Sequence, residues 1–378
     1  MTTPRAARTW PETPLTRLLG VAYPIVQGAF GGFDSQRLTA AVSAFGGLGA
    51  FGANALEPAL ITDTIAELRA LTDKPFAVNL WVSTEDDAAR TSDAAAFERS
   101  RAALTPHFRE LGVALPEYRR KPSMSFPAQA RAVLDAGVPV FSFIFGVPPA
   151  EILQECRSRG VVTLGTATNP DEAIALERAG IDAVVASGFE AGGHRGSFLG
   201  RSEDSLLGTL ALVPQVRDVV SVPVIAAGGI GDARGAAAAL ALGASGVQIG
   251  TALLACEGSG ATPAHRDAIS RQRYTPTRLT RGFTGRLARG LDNTLMQTLE
   301  RDGVETLPYP LQRGLVRALT SAAESAGRAD LTVMWAGEAA GLSRTRDAAT
   351  FLDQLVTELA PIAGTLVTWS AQRTRRET

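Results

Sequence analysis

Apolar positions in this chain gather into short continuous runs, and after most runs they recur at helical spacing. The runs are "YPIVQGA" (23–29), "GLGAFG" (47–52), "PFAVNLWV" (75–82), "VPVFSFIFG" (138–146), "VVTLGTAT" (161–168), "DAVVASG" (182–188), "PVIAAGGI" (223–230) and "GVQIGTAL" (246–253). Unbroken apolar runs of this length suit strands buried on both faces of a parallel sheet. Between them, "DSQRLTAAVSAFGG" opens on the cap-like Asp34 and stops at Gly46, and "NPDEAIALERAG" opens on Asn169 and Pro170 and stops at Gly180. "GDARGAAAALALGA" follows the seventh run. Cap-forming starts and glycine stops are the chemistry of helix ends.

Eight strand–helix units in sequence predict an α/β chain folded as a (β/α)8 TIM barrel, with a doubly wound open sheet as the alternative. Two segments break the alternation. Residues 83–124 are polar and charged with a helical stretch, and residues 262–345 contain "RGFTGRLARGLDN" and "ETLPYPLQ". Both leave the C-terminal end of a strand, where barrels build their sites. The expected organisation is therefore a barrel core over 1–261, with 83–124 inserted at its mouth. A small, mostly helical cap over 262–345 follows, and a closing helix and tail occupy 346–378.

Composition narrows the function. The chain has 378 residues, 45% of them apolar, and a formal net charge of −1. That balance excludes the basic surplus a nucleic-acid binder needs. The N-terminal stretch has no apolar core of signal-peptide type, and no uncharged apolar run of spanning length escapes interruption by glycine. Cys156 and Cys256 are the only cysteines, without metal-ligand spacing. A reduced, cytoplasmic protein that binds no metal, nucleic acid or membrane is expected.

The candidate chemistry lies at strand ends. "VASGFEAGGHRG" (185–196) places Glu190, His194 and Arg195 among glycines, and His194 is one of only three histidines. On strands seven and eight, Gly228, Gly229 and Ile230, then Gly250 and Thr251, offer backbone amides and a hydroxyl. In barrels these last two loops often hold a phosphate, and glycine lets it reach the backbone. Ordinary Gly-rich βα turns are the competing explanation. No G-x-x-x-x-G-K-[ST] loop is present, which argues against nucleotide hydrolysis. Neither of the two lysines, Lys74 and Lys121, stands at a strand end where a Schiff base would form.

In order, "PIVQGAF", "GGLGAFG", "PFAVNLWV", "GFEAGGHRG", "PVIAAGGIGDARG", "GVQIGTAL", "TGRLARG" and "LPYPLQ" resemble the nitronate monooxygenase family, formerly called 2-nitropropane dioxygenases. The resemblance implies an FMN-dependent barrel that oxidises alkyl nitronates with O2 to a carbonyl compound and nitrite. It implies FMN with its phosphate on Gly228, Gly229, Ile230, Gly250 and Thr251. The ring would lie over the first strand's loop, at Gln27, Gly28 and Ala29, with Asn79 and Ser187 at its edge and Gly192 and Gly193 allowing close approach. His194 is the implied catalytic group. It acts either as the base that takes the α-proton of a neutral nitroalkane or as a partner for the bound anion, since an imidazole titrates near neutrality. Glu190 is expected to orient its loop by accepting backbone amides, and Arg195 to pair with Glu190 or close over the site.

Two positions depart from the family pattern. Ile144 stands where many relatives carry His, and Ser187 where they often carry Gln. With Phe30, Trp81, Phe143 and Tyr309, Ile144 would line an apolar substrate pocket, and activity on neutral nitroalkanes would be weakened. Apolar residues at strand ends are usually core, so Ile144 packing inside the barrel is the plain alternative. The rival functions are an FMN-dependent NAD(P)H reductase of quinones or enoyl thioesters on the same scaffold, and a flavin-binding protein whose chemistry has lapsed. The triplet Arg119, Arg120 and Lys121 would serve a carrier protein's phosphate in the first case and a solvated surface otherwise. Small-molecule substrate and O2 are the expected partners, with a homodimer the oligomer to test.

Overall fold

The computed structural model describes residues 12–92, 94–117, 124–271, 274, 276–301, 306–342 and 344–374, the last twelve of these and 301 as backbone only. The triplet Arg119, Arg120 and Lys121 lies outside the described residues. The strands are β1 Ile25–Gln27, β2 Phe30–Gly31, β3 Gly49–Gly52, β4 Phe76–Trp81, β5 Val140–Ile144 and β6 Val162–Ala167. They continue with β7 Ala183–Ser187, β8 Gly193–His194, β9 Val224–Ala227, β10 Gly246–Ile249, β11 Thr277–Thr280 and β12 Ala288–Leu291.

Nine of them form one parallel sheet in the order β1-β10-β9-β7-β6-β5-β4-β3-β2. A parallel bridge between Val26 and Leu48 brings the ends of that order together. There the Gln27 amide donates to the Leu48 carbonyl at 2.9 Å, and the Leu48 amide donates to the Ile25 carbonyl at 2.9 Å. β1 and β2 are thus the two halves of one bent stave, and the eight apolar runs supply the eight staves of a TIM barrel. The eighth run is shorter than its apolar pattern implies. Its strand ends at Ile249, because Gly250 (φ −101, ψ −79) leaves extended geometry and Thr251–Leu254 turns into a helix.

The helices that cover the staves start where side chains satisfy their free amides. Asn169 accepts from the Glu172 amide at 2.9 Å, and Asp232 accepts from the Arg234 amide at 3.0 Å. The first expected helix starts one residue later than Asp34 suggests, with Ser35 at its cap and Gly46 (φ 109) at its end. The closing helix, Ala348–Thr374, packs between Ala233–Ala241 and Gln36–Phe45 and completes the outer ring.

Inside the ring, the two ends of the staves differ. At the N-terminal end, Leu15 and Leu19 of the helix Pro14–Leu19 plug the barrel against Val26, Leu48, Val140, Leu164, Ala183 and Ile225. At the C-terminal end the inward positions are Asn79, Ser142, Thr166, Ser187, Ala227 and Gln248, all bordering open space. Barrels are normally filled by layers of branched apolar side chains. Small and polar ones here leave the upper layer unfilled.

The two segments outside the alternation share a core of their own. Ala89, Phe97, Leu104 and Phe108 of the first pack with Phe283, Leu295, Met296, Leu315 and Leu319 of the second. The Asp86 carboxylate ties them together. It pairs with Arg286 at 2.7 Å and accepts from the Tyr309 amide at 3.1 Å. The second segment is helical over Pro263–Ser270, Thr294–Arg301 and Leu311–Ser325, but it also contributes β11 and β12. These join β8 in an antiparallel sheet of order β11-β12-β8, which the sequence pattern does not foretell.

Candidate active site

A cavity of about 270 Å³ opens at the C-terminal end of the barrel, within reach of small-molecule sites in size. Gly28, Ala29, Phe30, Asn79, Trp81, Ile144, Ser187, Gly192, Gly193, His194, Gly228, Gly229, Ile230, Gly250 and Thr251 all border it. Fifteen residues from six loops and strand ends are thereby brought to one place.

Three expected site residues are not. Gln27 is fully buried and faces the helix layer, where its Nε2 reaches the Thr39 hydroxyl at 3.4 Å. Phe143 is fully buried among Leu153, Leu176 and other helix-facing residues. Both errors have one cause: side chains alternate along a strand, so Val26 and Ile144 face inward while their neighbours face out. Tyr309 borders the cavity only indirectly. Its ring lies behind Trp81, centroids 5.4 Å apart, and its hydroxyl accepts from the cavity-lining Arg313 at 3.4 Å.

His194 sits on β8, which is held by β12 through the pairing of Ala288 with His194 and of Arg289 with Gly193. Its ring is walled by Trp81 at 4.8 Å and Trp335 at 5.0 Å between centroids. Its Nε2 lies 2.9 Å from the Thr284 hydroxyl, which donates its own proton to the Arg286 carbonyl at 3.3 Å. A hydroxyl donates once, so Nε2 carries the hydrogen and Nδ1 keeps the basic lone pair. Burial first, then the Arg286 and Arg313 guanidiniums, pushes the pKa of His194 down to about 3. The expectation of titration near neutrality is therefore corrected. The ring is neutral at pH 7, and its protonated form is disfavoured by lost hydration and two nearby cations.

The glycines around it serve several ends. At Gly192 a Cβ would meet the Ala336 carbonyl carbon and the Gly337 nitrogen at 2.6 Å each, so this glycine admits another stretch of backbone, not a ligand. Gly193 has φ 77 with nothing within 4 Å of a Cβ, and Gly250 likewise faces open space. Glu190 accepts from the Thr209 amide at 2.9 Å and the Thr209 hydroxyl at 3.0 Å, which fixes the loop to the next helix. Arg195 neither pairs with Glu190 nor closes over the cavity. It is buried and donates to the carbonyls of Ser187, Thr168 and Ser205. Ile144 does border the cavity, and its side chain rests on Gly196, where a Cβ would come within 2.5 Å of it.

Other cavity residues escaped the sequence reading. Gln248 is the single polar side chain of the strand Gly246–Ile249, and its parity with Gly250 places it inward; that signal was present. Asn54, Thr284, Arg313 and Trp335 also line the cavity. The last three come from the second inserted segment, whose approach to the barrel no local pattern encodes. Among the described residues, no cluster of side chains suited to a metal ion occurs, and no helix is long and apolar enough to cross a membrane.

Comparison with known proteins agrees with this geometry. The family pattern described as nitronate monooxygenase matches residues 12–360. A probable nitronate monooxygenase of Staphylococcus aureus is 38% identical over 354 residues, covering 93% of this chain and 99% of the relative. The crystal structure of nitroalkane oxidase from Streptomyces ansochromogenes superposes with a TM-score of 0.85 at 38% identity, covering 94% of this chain and 100% of that one. FabK from Thermotoga maritima superposes with a TM-score of 0.74 at 28% identity, covering 95% of this chain and all of the other. The chain belongs to the nitronate monooxygenase family of flavin-dependent oxidoreductases.

Proposed function

We propose that the protein oxidises alkyl nitronates with O2 to a carbonyl compound and nitrite, using FMN held in the cavity above the barrel. Three features of the cavity suit that cofactor. The amides of Gly229, Ile230 and Thr251 border it and donate to no protein acceptor among the described residues, so they are free for a phosphate. The Asn54 Oδ1 is buried without a donor among the described residues, which an imide N–H of a flavin ring would supply. Gly250 and Gly193 leave room that no protein atom fills. Asn79, whose Nδ2 donates to the Ser142 hydroxyl at 2.9 Å, is held on the cavity wall, where it would meet the edge of the flavin. Gly228 and Ser187 complete the wall.

Bound FMN supplies the electron-accepting and O2-reducing chemistry. The chain's own contribution is to position a flat substrate between Trp81 and Trp335 beside His194. A neutral imidazole with so low a pKa is a poor proton acceptor. Its one N–H is engaged with Thr284, so what it offers the cavity is the Nδ1 lone pair, which removes an α-proton weakly. Ile144 adds no proton-transferring group. Preformed nitronates are therefore the better substrates, and neutral nitroalkanes the weaker ones. The observation that carries this reading is the facing arrangement: free amides at β9 and β10 on one side, the His194 imidazole and its aromatic walls on the other.

The test is nitrite release from propyl nitronate in air by the flavin-loaded protein. Nitrite from propyl nitronate with wild type, and a loss with His194→Ala that is smaller than its loss on nitropropane, supports the reading; no nitrite from the wild type removes it. The alternative, an FMN-dependent NAD(P)H reductase, is separated by anaerobic mixing with NADH or NADPH, where rapid bleaching of the flavin marks a reductase.

A further inference from the structure

Two guanidiniums stand near His194, and among the described residues only one of them pairs with a carboxylate. Arg286 is buried, pairs with Asp86 at 2.7 Å, and donates to the Ser83 carbonyl and hydroxyl at 2.9 Å each. Its planar face lies 4.3 Å from the Phe145 ring centre and 4.7 Å from that of Tyr309. All three nitrogens of that side chain donate inside the protein. Arg313 differs. It borders the cavity, its single hydrogen bond among the described residues is a long one to the neutral Tyr309 hydroxyl at 3.4 Å, and no described carboxylate pairs with it. A half-buried cation without a counter-ion is costly unless something negative completes it.

Its place in the mouth decides what that partner is. Arg313 approaches through Tyr309 and Trp81, at the end of β4. In the ring β4 is separated from β9 by β5, β6 and β7. The free amides of Gly229, Ile230 and Thr251 are thus across the mouth, and a cofactor phosphate seated there leaves Arg313 uncompensated. What remains near it is the space walled by Trp81, His194, Thr284 and Trp335. This space is flat-sided, and among the described residues Arg313 is a cation beside it with no carboxylate partner, which favours a planar anion bearing two oxygens on one atom, matched to the guanidinium fork.

We propose that Arg313 is the specificity-determining residue that binds the negatively charged group of the substrate, so that the site selects the nitronate anion over the neutral nitroalkane. This rests on the nitronate reading above, but the charge preference itself is testable without turnover. Nitrate, a planar oxyanion, is titrated calorimetrically into the flavin-loaded protein at constant ionic strength. Wild type binds nitrate. Arg313→Met weakens that binding about 10- to 100-fold, the scale of a charged hydrogen-bonded contact, and Arg313→Lys restores much of it. Arg317→Met, the same charge change one helical turn further on an exposed position, leaves binding as it was. In kinetics, Arg313→Met raises KM for propyl nitronate far more than KM for nitropropane.

Nitrate binding with no nitronate oxidation would keep the anion subsite and remove the proposed reaction. Equal nitrate affinity in wild type and Arg313→Met, or the same loss in Arg317→Met, would overturn the subsite.

Discussion

The same eight staves are filled at one end of the barrel and emptied at the other. Towards their N-terminal ends, Leu48, Val140, Leu164 and Ile225 close on Leu15 and Leu19, and Leu164 forms part of the cavity floor. Two residues further along the same strands stand Ala50, Ser142, Thr166 and Ala227, and a cavity. Burying one leucine contributes about 1.5–3 kcal/mol, so each small residue in the upper layer forgoes part of that. The fold is carried by the lower layer, which lets the upper layer give up packing for a ligand.

Substitutions that attack one layer and spare the other sharpen this contrast. The largest effect is expected from Leu15→Ala, which opens a hole in a fully buried position. It should lower the free energy of unfolding by about 3 kcal/mol in denaturant titration and leave turnover per folded molecule near wild type. Lost activity in the still-folded variant would mean that the two layers are not separable.

His194→Ala attacks the upper layer. It should reduce kcat/KM for nitropropane by about 100-fold, roughly 2.7 kcal/mol, and that for propyl nitronate by less. Equal losses would show that proton removal is not part of its work. The pH dependence has a definite sign. Burial and the two guanidiniums lower the folded pKa from 6.5 to about 3. Below pH 6.5 the unfolded state therefore takes up a proton that the folded state refuses until about pH 3. Stability is full above that window and is lost as pH falls through it. His194→Gln should flatten the slope of unfolding free energy there by about one proton. An unchanged slope would mean that His194 already titrates near neutrality.

The cap should respond separately. Asp86→Ala breaks the link to Arg286, whose side chain is 8% exposed while that of Asp86 is 29% exposed. About 2 kcal/mol is expected, less than for a fully buried pair because Asp86 is partly solvated. Hydrogen exchange should rise in Leu311–Ser325 and not in β5 to β7. Uniform loosening would show that cap and barrel are one cooperative unit.

The smallest change is expected from Ile144→His. It places a titratable group on the cavity wall and should raise nitropropane turnover a few-fold, provided the ring clears Gly196. No gain at all would mean that this side chain packs against Gly196 without meeting substrate.

The staves were legible because each is a short apolar run, and their order could be read because a barrel takes its strands in sequence. The cavity side of each strand was only partly legible. Composition locates a strand end within two or three residues, whereas facing in or out turns on single-residue parity. That is why Ile144 and Phe143, adjacent in sequence, lie on opposite sides of one strand. Glycine-rich loops pointed to the right rim, yet Gly192 serves backbone packing against Ala336 and Gly337. Thr284, Trp335 and Arg313 were out of reach, since their segment meets His194 through the pairing of β12 with β8, a contact about 90 residues apart along the chain. The neutrality of His194 depends on the same tertiary contacts.

The central claim is that the emptied upper layer exists to hold FMN. Gly250 tests it most directly, because a Cβ there meets no protein atom within 4 Å and its φ of −101 is open to residues other than glycine. FMN is titrated into apoprotein of wild type and Gly250→Val, followed by flavin fluorescence, with unfolding of both apoproteins measured alongside. The account predicts one FMN per wild-type chain, a loss of at least tenfold in affinity for the variant, and equal stability of the two apoproteins. Undiminished FMN binding by Gly250→Val, or no FMN uptake by wild type, would contradict it.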